Sequence, residues 1–542
     1  MDTVSTRRWW AVVAMSLALL AGGLDLTVLN LALPTLAVSL HAKTSALQWI
    51  VAAYSLVLSA LLLPGGLFGD RWGRKKFLLL ALVLFGGASL WCAYSGSPNE
   101  LIAARAALGA GGALLVPLSL GVLPSLFSEA ERPRAVSVLL GSTVVAYPLG
   151  PILGGWLLKN YWWGSVFLIN LPVTLIALVA VAFLLPESRA EKPPWLDVGG
   201  IVLSSAGLTL LTYATIGAAW GTWKTWLEIV GGLLILLLLV AWERRVGRQE
   251  GKTPLIELRL FKSASFSWGT ILATMVSFAM FGILFTVPQY FQDVRGTDAM
   301  GSGLRLLPMI LGLIIGAAAA DRMVAAIGPL GPKTVVTVGF VVMAIGLFLG
   351  TAMSQTSSDV FMAVWIGLTG AGVGFSLPTS MDAALGQLSK DASGVGSGLI
   401  QAVRQTGATF GVAILGTIVS NAYTSKLNLA GLPAEAAAAA KKGIAGGVAV
   451  AQASGSKTLM QNVLDAFSHG TLVMLFICGG LAVVGGLMAV VFLPRQERSS
   501  EDDAEEGGTA ATSDSGAGAS GTSGTSGTSG TSGAGTPGPV GI

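Results

Sequence analysis

The chain has 542 residues, of which 53% are hydrophobic and 11% carry a charged side chain, and 72 are glycines. This composition excludes an ordinary soluble domain and indicates a membrane protein. The net charge of +4 is small for this length, and the basic residues cluster in short connectors, so we expect no nucleic-acid partner. Cys92 and Cys478 lie in separate apolar stretches, which suggests neither a disulfide framework nor a metal site.

Long apolar runs recur along the whole chain. About 20 apolar residues make one helical crossing of a bilayer, and on this basis we predict an all-α membrane protein with fourteen transmembrane helices. The alternating pattern of a membrane β-barrel is absent from the sequence. The predicted spans are 10–33, 47–68, 77–94, 101–123, 135–158, 166–185, 198–216, 227–242, 266–290, 304–320, 335–353, 360–377, 395–422 and 467–493.

The basic residues predict the orientation of these spans. Cytoplasmic loops of membrane proteins are enriched in Lys and Arg, and the two densest basic connectors, 71–76 and 244–262, fall on the same side in a fourteen-span arrangement. Because the number of spans is even, both termini lie on that side too. We therefore predict a multi-pass protein of the cell inner (plasma) membrane with cytoplasmic termini.

Two segments stand apart from the spans. Residues 421–461 form a predicted external loop whose alanine-rich piece, 433–442, is suited to a short surface helix. Residues 499–542 begin with an acidic stretch and continue as a Gly-Thr-Ser repeat, which is too poor in apolar residues to fold. We expect a disordered cytoplasmic tail there.

A glycine-rich charged loop follows the second span. It contains Gly66, Asp70, Arg71, Gly73 and Arg74, and a weaker echo with Asp321 and Arg322 follows the tenth span. Equivalent loops in equivalent places suggest a parallel internal duplication. We predict an N-terminal six-helix bundle (1–190), two linker helices (191–262) and a C-terminal six-helix bundle (263–498).

Asp25 is the only charged residue between Trp9 and Leu40. A charge near the centre of a membrane helix costs at least about 2.5 kcal/mol, so such an acid is a candidate functional residue. Its functional interpretation is a proton carrier that alternates between protonated and ionised forms. A structural hydrogen bond between helices is the alternative.

Arg105 is the natural partner of Asp25. With a rise of 1.5 Å per residue, the two residues reach similar depths in a hydrocarbon core about 30 Å thick. We expect Arg105 to pair with ionised Asp25 and to lower its proton affinity in one conformation. A purely structural salt bridge stays open as the alternative, because buried pairs need not be functional.

Several of these strings resemble one known family. The loop from Gly66 to Arg74 is similar to the signature loop of the major facilitator superfamily, the segment around Arg105 to its fourth-helix motif, and 150–155 to the fifth-helix motif of its antiporters. Further strings resemble the fourteen-helix drug–proton antiporters, which include quaternary-ammonium and antibiotic exporters. These strings are 24–34, 167–172, 288–292 and 401–407.

The resemblance implies the major facilitator fold and roles for two motifs. The loop with Asp70 would lock the bundles and break to open the cytoplasmic side, although positive-inside topology alone explains its basic residues. The helix with Gly150, Pro151, Gly154 and Gly155 would seal against leaks, whereas small residues are also common packing surfaces in any membrane bundle.

Five residues are candidates for a substrate cavity. Tyr147 and Tyr290 could offer aromatic surface to a lipophilic ligand, but aromatic residues at span ends also act as interfacial anchors. Arg404, flanked by Gln401 and Gln405 in the thirteenth span, either lines the cavity or bonds to neighbouring carbonyls.

The sequence favours a transporter over an enzyme. Soluble catalytic signatures are missing, and Gly251-Lys252-Thr253 lacks the upstream glycine of a phosphate loop, so we predict no metal and no cofactor. We predict a multidrug or antibiotic exporter that works by alternating access as a monomer in the lipid bilayer. It would exchange protons for a small lipophilic compound that is neutral or monocationic. A proton-coupled nutrient uptake carrier and a membrane sensor or scaffold are the alternatives.

Overall fold

The computed structural model describes residues 2–190, 195–218, 221–249, 251–386, 388 and 390–495. The predicted tail, 499–542, lies outside this range. Within it the chain forms long helices joined by short connections. The N-terminal half, as we call α1 to α7, consists of α1 (Asp2–Ser39), α2 (Thr44–Trp72), α3 (Arg74–Ala93), α4 (Pro98–Leu126), α5 (Arg132–Asn160), α6 (Ser165–Leu168) and α7 (Asn170–Leu184).

Two further helices and the C-terminal half follow. The helices that we predict as linkers are α8 (Val198–Thr215) and α9 (Trp223–Val246). The C-terminal half consists of α10 (Ala264–Gln289), α11 (Ala299–Ile327), α12 (Gly331–Gly350), α13 (Asp359–Leu385), α14 (Lys390–Phe410), α15 (Gly416–Lys426), α16 (Ala434–Ala440), α17 (Ile444–Ser454) and α18 (Lys457–Phe492).

The described helices confirm the predicted all-α membrane fold. Thirteen stretches are long and apolar enough to cross a membrane, and one of them, Ala299–Gly350, contains both α11 and α12. The described residues therefore provide fourteen crossings. Because this number is even, α1 begins and α18 ends on one side, which we call the termini face; the opposite side is the far face.

Local signals explain many helix boundaries. Ser97, Asp298 and Ser456 each accept a hydrogen bond from the backbone N–H three residues later, and so cap α4, α11 and α18. The predicted loop 421–461 is largely helical, since α15 continues to Lys426 and the alanine-rich piece forms α16 as expected.

Glycines allow close packing inside the C-terminal half. A Cβ added at Gly370 on α13 would collide with the carbonyl oxygen of Met309 on α11, and one at Gly374 would collide with that of Leu313. In membranes, such small residues let helix backbones approach closely and pack by van der Waals contact. The α11–α13 pair is thus fixed by residues that carry no side chain.

We predict that Gly370→Ala destabilises the protein while Gly480→Ala on α18 does not. Alanine is normally the better helix former by about 0.5–1 kcal/mol, and a Cβ at Gly480 meets no atom within 4 Å. Overpacking at Gly370 costs about 1–3 kcal/mol. Thermal unfolding in detergent should therefore show a lower midpoint for Gly370→Ala alone; equal midpoints would contradict the packing of α11 on α13.

Candidate functional site

A buried ion pair lies at the centre of the N-terminal half. Arg105 Nη1 on α4 donates to Asp25 Oδ2 on α1 at 2.5 Å, and Arg105 Nε donates to the carbonyl oxygen of Ile50 on α2 at 3.1 Å. Asp25 and Arg105 are only 2% and 1% exposed. The guanidinium group therefore joins three helices, and the predicted contact between the two residues is present.

Aromatic rings complete the surroundings of Arg105. Its guanidinium carbon lies 4.6 Å from the ring centre of Tyr54 and 5.9 Å from that of Phe167. A cation over an aromatic face is attracted to the ring, more strongly when water is excluded. A Cβ on Gly112 would come within 2.8 Å of the Tyr54 hydroxyl, so the glycine leaves room for that ring.

An ion pair within the charged loop joins its two ends. Arg74 Nε donates to Asp70 Oδ1 at 2.8 Å, one helical turn apart across the break between α2 and α3. Gly73 at that break has φ +116°, a conformation that side chains rarely allow, and an added Cβ would lie 2.7 Å from Glu187 Oε1. The backbone of this loop requires glycine at that position.

The same loop is tied to the segment that follows α7. The N–H of Arg74 donates to the carbonyl oxygen of Ser188 at 2.9 Å, and the N–H of Ala190 donates to that of Asp70 at 3.0 Å. Arg71 lies against the ring of Trp72 at 5.5 Å. These contacts of the predicted gating loop all lie on the termini face of the N-terminal half.

The glycines of α5 pack against both halves. A Cβ at Gly150 would collide with Thr27 Oγ1 of α1, and one at Gly154 would lie 2.8 Å from Val28 Cγ1.

A Cβ at Gly155 would lie 2.8 Å from Met300 Cα of α11, and a Cβ at Gly303 of α11 would collide with the Pro151 carbonyl oxygen. The predicted antiporter helix therefore packs directly on α11 where the halves meet near the far face.

Two glutamines form hydrogen bonds between the halves near the far face. Gln48 Nε2 on α2 donates to the carbonyl oxygens of Val412 and Ala413, at 3.2 and 3.0 Å. These carbonyls belong to a π-helical turn, Gly411–Leu415, in which helix bonding is altered. Gln292 Nε2 donates to the Leu31 carbonyl oxygen at 3.0 Å. Gln48 is not among the predicted site residues, and a polar residue in an apolar span was the available signal for it; Gln292 belongs to the 288–292 segment that resembles the antiporters.

A large cavity of about 1160 Å³ opens toward the termini face. Its walls come from α2, Pro117 of α4, the end of α9, the connector before α10 and the start of α14. Gly66 and Asp70 of the charged loop line it, as do several basic residues of the connector. Those basic residues are Arg244, Arg248, Lys252, Arg259 and Lys262.

A smaller cavity of about 30 Å³ lies between the halves, at the level of Tyr147. Thr27, Asn30, Tyr147 and Pro151 line it from the N-terminal half. Apolar side chains complete the wall from the C-terminal half: Met280, Leu284, Leu306, Met309, Ile310 and Leu313. We call this space the central cavity; Tyr147 is the predicted cavity residue that lines it.

The other predicted cavity residues occupy different places. Tyr290 is fully buried in a π-helical turn near the far face and does not line the central cavity. Arg404 Nη2 on α14 donates to Gln401 Oε1 at 2.8 Å, and neither side chain lines the central cavity. Gln405 Nε2 is buried without a hydrogen-bond partner.

The described residues contain no group of three or more His, Cys, Asp or Glu side chains that could hold a metal ion. The functional geometry thus consists of one buried ion pair, a charged loop and two cavities.

Comparisons with known proteins place this geometry in a family. The family model described as Major Facilitator Superfamily matches residues 15–412. The chain is 32% identical over 514 residues to the tetracenomycin C resistance and export protein of Streptomyces glaucescens, covering 92% of this chain and 94% of that protein.

Two further relatives have similar lengths. Identity to the multidrug efflux pump LfrA of Mycolicibacterium smegmatis is 32%, with 89% and 96% of the two chains covered. Identity to the methyl viologen resistance protein SmvA of Salmonella typhimurium is 31%, with 85% and 93% covered.

Solved structures show the same fold at low sequence identity. A bacterial homologue of the lysosomal transporter Spinster aligns with a TM-score of 0.65 at 15% identity, covering 91% of this chain and 99% of that one. A D-xylose–proton symporter aligns with a TM-score of 0.60 at 16% identity, covering 90% and 98%. The chain belongs to the major facilitator superfamily, within its fourteen-helix drug–proton antiporter family.

Proposed function

We propose that the protein is a proton-coupled multidrug or antibiotic exporter that works by alternating access. The names of its relatives support this proposal, since they describe export of tetracenomycin C, multidrug efflux and resistance to methyl viologen. We place it as a monomer in the plasma membrane with the termini face toward the cytoplasm, as the basic connectors indicate.

The buried pair of Asp25 and Arg105 is the observation that carries the proposal. A buried carboxylate is stable only while its charge is compensated. Arg105 has other partners, the Ile50 carbonyl and the Tyr54 ring, which keep the cation in place when Asp25 is protonated. A proton on Asp25 would leave Arg105 with these neutral partners alone, so proton binding at Asp25 is coupled to the environment of the buried guanidinium.

The contacts between the halves define the state of this structure. Gln48, Gln292 and Gly155 join the halves near the far face, whereas the large cavity opens toward the termini face. With cytoplasmic termini, this is the inward-facing state. Transport would then require the far-face contacts to break and the termini face to close.

The charged loop serves as the gate in this proposal. Here Asp70 pairs with Arg74, and its carbonyl accepts a hydrogen bond from the segment after α7, so these contacts stay within the N-terminal half. Closure of the cavity would bring Asp70, which lines it, toward the start of α14 on the opposite wall. Asp70 would then stabilise the outward-facing state by its charge at that helix terminus.

The number of protons limits the cargo. If one carboxyl group carries one proton, export of a monocation is electroneutral. Export of a neutral compound moves one charge inward and gains about 2.3 kcal/mol per 100 mV. Neutral and monocationic lipophilic compounds are therefore the cargo that this coupling supports.

We expect Asp25→Asn to abolish proton-coupled export because the amide cannot carry a proton. In inverted vesicles with an acidic interior, adding rhodamine 123 or fluorescein methyl ester to the original protein should discharge the gradient. Asp25→Asn should respond no more than vesicles without the protein. Asp465→Asn is the matched control, because this exposed carboxylate accepts hydrogen bonds from Gln355 and Gln461 at the surface.

The same vesicles separate the alternatives. A nutrient carrier would transport neither dye and would drive nutrient uptake in intact cells. A sensor or scaffold would transport neither the dyes nor a nutrient. Full discharge of the proton gradient by Asp25→Asn would show that Asp25 is not the proton carrier.

We expect Gln48→Leu to shift the protein away from the inward-facing state. The change removes hydrogen bonds that join α2 to the π-helical turn Gly411–Leu415 and to α15, each worth about 1 kcal/mol. A difference of about 1 kcal/mol changes a population ratio about fivefold. Spin labels at exposed Tyr161 and Thr356, one in each half, should show longer distances.

The control for this measurement is Gln452→Leu, an exposed position on α17. It should leave the label distances as they are in the original protein. An unchanged distribution in Gln48→Leu would show that these bonds do not hold the far face closed.

A further inference from the structure

Two buried acids lie side by side where the predicted linker helices meet at the termini face. Asp197 precedes α8, and Glu243 lies in the last turn of α9. The two residues are 0% and 2% exposed. A Cβ added at Gly200 would lie 2.6 Å from Glu243 Oε1 and 2.7 Å from Asp197 Oδ2. The two carboxyl oxygens therefore converge on the space beside this glycine, and we call the two residues the acid pair.

The hydrogen bonds of the acid pair are incomplete. Asp197 Oδ1 accepts from the N–H of Gly200 and from Trp242 Nε1, both at 2.8 Å. Asp197 Oδ2 and both oxygens of Glu243 are buried without a hydrogen-bond partner. Buried acceptors without partners cost free energy, and two ionised carboxylates that share a site repel each other. A proton held between the two acids removes both costs.

Within the described residues, no basic side chain forms a salt bridge with either acid. Helix α8 contains no charged residue, and Lys252 of the connector before α10 lies against the ring of Trp195, at 5.0 Å. The N–H groups of Leu255 and Ile256 in the same connector face Glu243 but do not complete a hydrogen bond. Other charged side chains line the large cavity together with Glu243: Asp70, Arg244, Arg248, Glu257, Arg259 and Lys262.

The two helix ends decide which acid holds the proton. Asp197 caps the N-terminus of α8, where the partial positive charge of the helix and two donors stabilise an ionised carboxylate. Glu243 lies at the C-terminus of α9, where the partial negative charge of the helix opposes a second anion. Glu243 is therefore the neutral acid, and Asp197 is the ionised one.

We propose that the acid pair is a proton-binding site, in which neutral Glu243 donates a hydrogen bond to Oδ2 of ionised Asp197. Glu243 lines the large cavity, so with cytoplasmic termini the proton exchanges with the cytoplasm. It does not cross the membrane, and the proton count of the export cycle is unchanged. The site therefore acts independently of Asp25 and of the exported compound.

The proton joins three segments at the wall of the large cavity. Helix α8 begins beside it, α9 ends beside it, and the connector leads on to α10. A Cβ at Gly199 would lie 2.5 Å from the Trp242 ring, so the start of α8 packs tightly on α9. Two repelling carboxylates cannot move apart there without disturbing this packing. Because the folded protein holds a proton that the unfolded chain releases, stability should fall as the pH rises through the titration of the acid pair.

Infrared difference spectra of the purified protein test the protonation of Glu243, because protonated and ionised carboxyl groups absorb at different frequencies. At neutral pH, subtracting the Glu243→Gln spectrum from that of the original protein should leave the band of one protonated carboxyl group. Glu257→Gln is the matched control, since Glu257 lines the same cavity and is partly exposed. The subtraction with this control should leave carboxylate bands.

Asp197→Asn tests whether the two acids act together. Asparagine keeps an oxygen for the Gly200 N–H and the Trp242 indole but carries no charge. Without the adjacent negative charge, Glu243 should ionise at a lower pH than in the original protein. An identical titration of the Glu243 band in both proteins would show that the acids do not share a proton.

Thermal unfolding in detergent tests what the proton stabilises. From neutral to mildly alkaline pH, the midpoint of the original protein should fall. Glu243→Gln should show a smaller fall, because its amide donates to Asp197 at every pH. Equal falls would contradict a role of the proton in joining α8 to α9.

The infrared result decides the site itself. Carboxylate bands from Glu243 at neutral pH would overturn the proposal, since both acids would then be ionised and a cation would have to lie between them. Neither measurement uses cargo, so a failure of the proposed export function would leave both results as they are.

Discussion

The ion pair between Asp25 and Arg105 is the constraint on which the N-terminal half depends. Two opposite charges in a membrane protein's interior are stable only when they touch and when their remaining hydrogen-bonding groups are satisfied. Arg105 meets this requirement through Asp25, Ile50 and the Tyr54 ring, so α1, α2 and α4 must pack closely around it. Gly112 is small because that ring needs the space.

The seam between the halves is built on a different principle. Near the far face, glycines on α5 and α11 allow direct contact, and glutamine side chains reach carbonyls across the seam. Most of these contacts are neutral, and the ion pair between Lys159 of α5 and Asp298 before α11 is exposed to solvent, so the set can be exchanged for another at a modest cost in free energy. Alternating access requires strong contacts within each half and weaker contacts between the halves. Each half can then rotate as a rigid body about the interface.

Much of this arrangement could be predicted from the sequence. The apolar runs predict the helices because the thickness of the bilayer sets the length of a span. The free-energy cost of a lone charge in a span identifies Asp25 as a candidate functional residue. The depth of Arg105 followed from helix rise alone. The π-helical turns and the carbonyls that Gln48 bonds could not be predicted, because they depend on contacts between helices far apart in sequence.

Proton release on cargo binding tests the central claim most directly. In the inward-facing state, cargo and a proton on Asp25 should compete, so binding of one must displace the other. Purified protein in weak buffer with a pH indicator should release protons when fluorescein methyl ester binds, in proportion to the bound dye. Asp25→Asn should bind the dye and release none. The same proton release from Asp25→Asn would contradict the assignment of Asp25 as the proton carrier.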